Sequence, residues 1–114
     1  MKHAFLIMAH GSLPLLRVLL SMLDDERNDI FLHIDRKSDM LDGAEPLVLS
    51  KARLFLLEQR VDVRWGNLSQ IKAEYVLFEE ALKHGPYAYY HLLSGQDLPI
   101  KSQDYIHQFF EEHQ

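Results

Sequence analysis

A chain of 114 residues has room for one domain, residues 1–114, with a single core, and its 47% hydrophobic and 25% charged content excludes a disordered segment. Twelve basic against seventeen acidic residues, a net charge of -5, and no dense Lys/Arg stripe make nucleic acid and anionic membrane poor partners. The absence of cysteine excludes disulfides, Cys-ligated zinc and a thiol nucleophile, and fits a reducing compartment.

His3 to Ala9 is a nearly continuous apolar run, which predicts a central strand covered on both faces. It is too short to span a membrane and no small-residue cleavage site follows a longer apolar stretch, so the chain is expected to be cytoplasmic or peripheral to a membrane. The strand ends at His10-Gly11-Ser12, where Gly11 can take a positive φ and Ser12 can cap a helix. Leu16, Leu19, Leu20 and Leu23 recur at helical spacing, and the turn formers Asn28 and Asp29 follow.

Ile30 to Ile34 reads as the second strand, with Asp35 at its carboxyl end. In a dinucleotide-type βαβ unit an acidic residue there accepts ribose hydroxyls, but the first turn holds only Gly11, so the full glycine fingerprint is absent. Arg36 and Lys37 come next and could pair with phosphate or with Asp39 and Asp42. Ser38 to Ser50 reads as a loop with at most one helical turn, Leu54 to Leu57 as a third strand, and Val61 to Arg64 as a short alternating segment.

Trp65-Gly66-Asn67 offers a flat surface for a base or sugar ring, or equally a core tryptophan beside a turn glycine. Asn67 and Gln70 have capping-box spacing, Ile71, Tyr75, Phe78 and Leu82 mark one helical face, and Gly85-Pro86 stops that helix. Tyr87 to Leu93 reads as a buried strand that delivers Ser94, Gly95, Gln96 and Asp97 to the sheet edge. In open α/β sheets ligands bind at such edges, although Asp97 and Ser102 could instead only satisfy turn and cap donors. A last helix, Gln103 to Glu112, carries Tyr105, Ile106, Phe109 and Phe110. Its end after Phe109-Phe110 is expected to leave an apolar patch open to a homo-oligomer. The pattern as a whole is α/β, a mostly parallel sheet of about four strands flanked by helices.

His10, His33, Asp35 and His91 fall at or near strand ends and raise a metallohydrolase reading, but no metal-ligand motif accompanies them. No nucleophile elbow is present, and a carboxylate pair would require Asp35 and Asp97 to meet across strands.

Three blocks in order, His33-Ile34-Asp35-Arg36-Lys37-Ser38, Trp65-Gly66-Asn67-Leu68-Ser69 and Leu92 through Ser102, with Phe5-Leu6-Ile7-Met8-Ala9-His10 ahead of them, span nearly the whole chain. The combination resembles the core-2/I-branching β-1,6-N-acetylglucosaminyltransferases and the related peptide O-xylosyltransferases. The resemblance implies a Rossmann-like, GT-A-type half that binds a UDP-sugar donor at the carboxyl ends of its strands. By motif position it implies that Ala9, His10, Asp35 and Lys37 face the uridine, and that Trp65, Gly66 and Ser69 line the nucleotide-sugar pocket. Gln96 and Asp97 would lie where other GT-A enzymes carry Asp-x-Asp; Ser-Gly-Gln-Asp has one carboxylate, in keeping with a family expected to work without a metal cofactor. The acceptor site, the catalytic Glu and the basic residues that meet the leaving UDP are implied outside these blocks. The chain is therefore expected to supply donor binding without a catalytic residue of its own, as a truncated glycosyltransferase or, alternatively, a non-catalytic nucleotide-sugar-binding module.

Overall fold

The computed structural model describes residues 2–64 and 68–94, together with His107 and Glu111. Its elements are β1 (His3–Ala9), α1 (Leu13–Leu23), β2 (Asn28–Ile34), β3 (Arg53–Leu56), α2 (Leu68–His84) and β4 (Tyr89–Ser94). The four strands form one parallel sheet in the order β3-β2-β1-β4. The architecture is a Rossmann-like α/β sheet with helices on both faces.

β1 and β2 are buried along their whole length on both faces, in keeping with their apolar stretches Ala4 to Ala9 and Ile30 to Leu32, while His3, Asn28, Asp29 and His33 are buried polar members. Alternate residues of β1 divide the core. Phe5, Ile7 and Ala9 join Ile30, Leu32 and Ile34 beneath Leu16, Leu19, Leu20 and Leu23 of α1. Ala4, Leu6, Met8 and Phe31 meet Ala73, Val76, Leu77 and Ala81 of α2 on the other face. Burying side chains of this size contributes about 1.5–3 kcal/mol each relative to leaving them in water.

The start of α1 follows the expected chemistry. Gly11 sits at φ 83°, in the left-handed region. Ser12 Oγ accepts the Leu15 N–H at 3.2 Å, and Pro14 occupies the first turn.

Several details differ from the sequence pattern. Asn28 and Asp29 are buried members of β2 rather than turn residues, because distant partners satisfy them: the Asn28 side chain donates to the Leu23 carbonyl, and Asp29 is bonded by Lys2, Arg53 and Tyr87. β3 covers Arg53–Leu56, one residue earlier than expected, and residues 61–64 form no strand, although Val61 and Val63 are buried. β4 begins at Tyr89 and is half-buried, since among the described residues it has a sheet neighbour on one side only. The α2 face marked by Ile71, Tyr75, Phe78 and Leu82 points to water; the smaller Ala73 and Ala81 let the helix approach the sheet on its other side. Of the expected last helix, His107 and Glu111 are helical and the rest of 103–112 lies outside the described residues.

No helix among the described residues is long and apolar enough to cross a membrane.

Candidate functional site

In this strand order the chain leaves β1 for β2 and β3 on one side and returns through α2 to β4 on the other. The two connections diverge between β1 and β4, and the crevice outside the carboxyl ends of those strands is where open α/β sheets receive ligands. Register places the relevant residues there: Ala9 is level with Ile34, so His10 and Asp35 leave the sheet side by side, and Met8 is level with Ser94. The Asp35 N–H donates to the Ala9 carbonyl at 2.9 Å, which fixes the two strand exits to each other.

Asp35 organises this rim. Its carboxylate is buried, and Oδ1 accepts the Lys37 N–H at 3.0 Å and the Val63 N–H at 3.3 Å, while the Lys37 ammonium lies 3.1 Å from Oδ2. Burial alone would raise the Asp35 pKa; the Lys37 backbone and side-chain hydrogen bonds and the Val63 N–H outweigh it and hold the carboxyl below its usual value. Lys37 also donates to Asp62 Oδ1 at 2.7 Å and to the Val63 carbonyl. Lys37 thus pairs with Asp35 and Asp62, and not with Asp39 and Asp42, one of the two alternatives that its place in the sequence left open. Asp62 foremost, then Asp35, raises the Lys37 pKa, so it stays a cation.

These bonds bring the second block to the first. Val63 is tied to Asp35 and Lys37, and Ser69, at the start of α2, closes on Arg64: its Oγ accepts the Arg64 N–H at 2.7 Å and donates to the Arg64 carbonyl at 3.3 Å. Both ends of the segment that holds Trp65, Gly66 and Asn67 are therefore fixed beside Asp35. Trp65, Gly66 and Asn67 themselves lie outside the described residues, as do Gly95, Gln96 and Asp97; Ser94 carries the chain to the same rim. Arg60, which the sequence did not single out, spans the β2 exit by donating to the carbonyls of Ile34, Asp35 and Ser38. No local motif marks it, because its partners are backbone carbonyls distant in sequence.

The electrostatics suit an anion at one edge of the rim. Both α1 and α2 start at the carboxyl end of the sheet, so their positive dipole ends face that side. A cleft of about 600 Å³ between β3 and α2 suits an anion less well, because Glu58, Glu79 and Glu80 line it against Lys83.

The histidines do not gather at the rim. His33 is fully buried, and its Nε2 accepts the Val61 N–H at 2.9 Å, which leaves that nitrogen unprotonated; burial lowers its pKa. His91 is level with Phe5, four residues before the end of β1, and stacks on that ring at 4.5 Å. Among the described residues no three His, Asp or Glu side chains form a group that could hold a metal ion.

Residues 3–114 match the family described as Core-2/I-Branching enzyme. No curated protein matches the chain.

Proposed function

The chain belongs to the Core-2/I-Branching enzyme family, a family of glycosyltransferases, and from that premise we propose that its carboxyl rim binds the nucleotide of a UDP-sugar donor. The observation that carries the reading is the arrival of all three sequence blocks at one sheet edge: Asp35 and Lys37 after β2, Arg64 and Ser69 before α2, and Ser94 at the end of β4. The strand exits at Ala9 and His10 form the floor, and Asp35 with Lys37 forms the uridine-facing wall. By motif position Trp65, Gly66, Ser69, Gln96 and Asp97 complete the donor site, and Ser69 is bonded to Arg64 beside the Asp35 wall. The donor carries GlcNAc or xylose. Transfer follows the inverting course, in which a base takes the proton of an acceptor hydroxyl, that oxygen attacks the anomeric carbon, and the bond to UDP breaks on the opposite side. The base and the acceptor site come from outside these residues, so the 114-residue chain binds donor without completing transfer. Binding does not call for a metal; the diphosphate is met by helix dipoles and basic side chains.

Calorimetry with UDP, UDP-GlcNAc and UDP-xylose, each with and without EDTA, tests this. The expected result is UDP binding that EDTA leaves unchanged, with one of the sugar nucleotides bound more tightly than UDP. Binding that appears only with Mn²⁺ or Zn²⁺, or no binding to any uridine nucleotide by folded protein, contradicts it.

A further inference from the structure

Five large apolar side chains of α2 stand in water. Leu68, Ile71, Tyr75, Phe78 and Leu82 are between 37% and 78% exposed, while Ala73, Val76, Leu77 and Ala81 are buried against the sheet. At about 100° per residue the two sets lie on opposite sides of the helix. Isolated exposed apolar residues are ordinary; a continuous row on one helix is not. The row also has a definite spacing, alternating three and four residues, which is the heptad seam of helices that pack side by side. Among the described residues α2 is the helix on this face of the sheet, and of the row Phe78 leans on β4, its ring 6.1 Å from that of Tyr90.

We propose that this seam is a contact between two copies of the chain, with α2 packed antiparallel on α2 of the second copy about a two-fold axis. The charges beside the seam select the partner and its direction. Exposed Lys72 and Glu79 flank it on one side; on the other stands half-buried Glu74, and the next position of that row, Ala81, is buried against the sheet and carries no charge to the seam. An antiparallel register that sets Tyr75 against Phe78 and Ile71 against Leu82 of the second copy also sets Lys72 against Glu79, twice by symmetry, and Glu74 against the neutral Ala81. Sliding one step in one direction opposes Lys72 to Lys72 and Glu74 to Glu74; sliding the other way opposes Glu79 to Glu79. A parallel pair opposes Glu74 to Glu79. One register alone matches apolar layers and avoids like charges, the pattern by which helix pairs fix register and orientation. Beyond Leu68, which begins α2 beside Ser69, the seam runs away from the carboxyl rim, so the inference stands whether or not that rim binds a uridine nucleotide.

Sedimentation analysis of the whole chain gives the test. The unmodified protein should show a reversible dimer below about 200 μM. Tyr75→Glu should weaken it by about a hundredfold, since each substitution strikes the centre of the seam twice. Lys72→Glu and Glu79→Lys should each weaken it by about tenfold, and the double variant should return to within about twofold of the starting value. Circular dichroism should show helix content unchanged in every variant. A monomer throughout that range would overturn the proposal, including the case in which another segment of a longer protein covers the seam. So would a dimer indifferent to Tyr75→Glu, or single charge variants that the double variant fails to rescue.

Discussion

The two ends of the sheet treat a buried carboxylate differently. At the amino end, Asp29 of β2 is fully buried and takes its hydrogen bonds from three segments far apart in sequence: Lys2 before β1, Arg53 at the start of β3, and the Tyr87 hydroxyl before β4. At the carboxyl end, Asp35 takes its own from Lys37, two residues on, and from the Val63 N–H, and among the described residues its Oδ2 accepts only from the Lys37 ammonium. Asp29 is a clamp with its acceptor positions occupied from across the fold. Asp35 orders a rim and keeps acceptor capacity beside a half-exposed lysine, 49% accessible, that can exchange a protein contact for a ligand contact. One carboxylate ties the strands of the sheet together; the other orders the segments that leave its carboxyl end.

The contrast breaks first at Asp29. Asp29→Ala should cost about 3 kcal/mol in urea unfolding, because it strands the buried end of Tyr87 and removes the shared acceptor of two cations. The folded fraction of that variant should keep its UDP affinity within about twofold. A large loss of affinity with little loss of stability would reverse the roles assigned to the two ends.

The amino end also carries a histidine cluster. His3 Nδ1 lies 2.9 Å from His91 Nε2, the His3 and His107 rings are 3.8 Å apart, and His107 Nε2 lies 2.9 Å from Asn28 Oδ1. Burial, then the charges that His107 and His91 would carry, lowers the His3 pKa from 6.5 to about 4. Burial foremost lowers those of His91 and His107 as well. The folded state resists protons that the unfolded chain accepts, so stability is full above the unfolded value and falls as pH drops from 6.5 toward 4. Thermal or urea unfolding should lose about 2 kcal/mol across that window, and His3→Phe should flatten the loss. Stability that rises on acidification through the same window would contradict the assignment.

At the rim the effects should move from stability to binding. Asp35→Ala should weaken UDP by about tenfold in calorimetry at a cost in stability of about 2 kcal/mol, since the Lys37 groups can turn to water while the buried Val63 N–H loses its acceptor. Unchanged affinity in folded protein would remove Asp35 from the uridine wall. Ser69→Ala should be smaller still, about threefold on sugar-nucleotide affinity and about 0.5 kcal/mol on stability, because it loosens Arg64 and the start of α2 without touching the strands.

What could be read from the letters follows the same divide between local and distant partners. The exits of β1 and β2, the Ser12 cap and the apolar face of α1 were legible because each depends on neighbours within a turn or a strand: Leu16, Leu19, Leu20 and Leu23 outweigh the exposed Val18 and Met22 on their helix. α2 has two apolar faces. Periodicity favours the larger side chains of Ile71, Tyr75 and Phe78, whereas close packing on the sheet favours Ala73, Leu77 and Ala81. Asn28 and Asp29 look like turn residues until Leu23, Arg53 and Tyr87 are brought beside them. Lys37 likewise finds Asp62, far along the chain, in place of Asp39 or Asp42. Asp35 and Ser69 were singled out by their motifs, but their bonds to Val63 and Arg64, which join two blocks into one rim, depend on the fold.

The most direct test of the rim is a UDP titration of isotopically labelled protein followed by backbone amide NMR shifts. The account predicts that the largest changes fall at Ala9 to Ser12, Asp35 to Lys37, Arg64 to Ser69 and Ser94, with the amides around Asp29 and His3 unmoved. Changes centred on the amino end of the sheet or on the acidic cleft between β3 and α2, with the carboxyl rim silent, would contradict it.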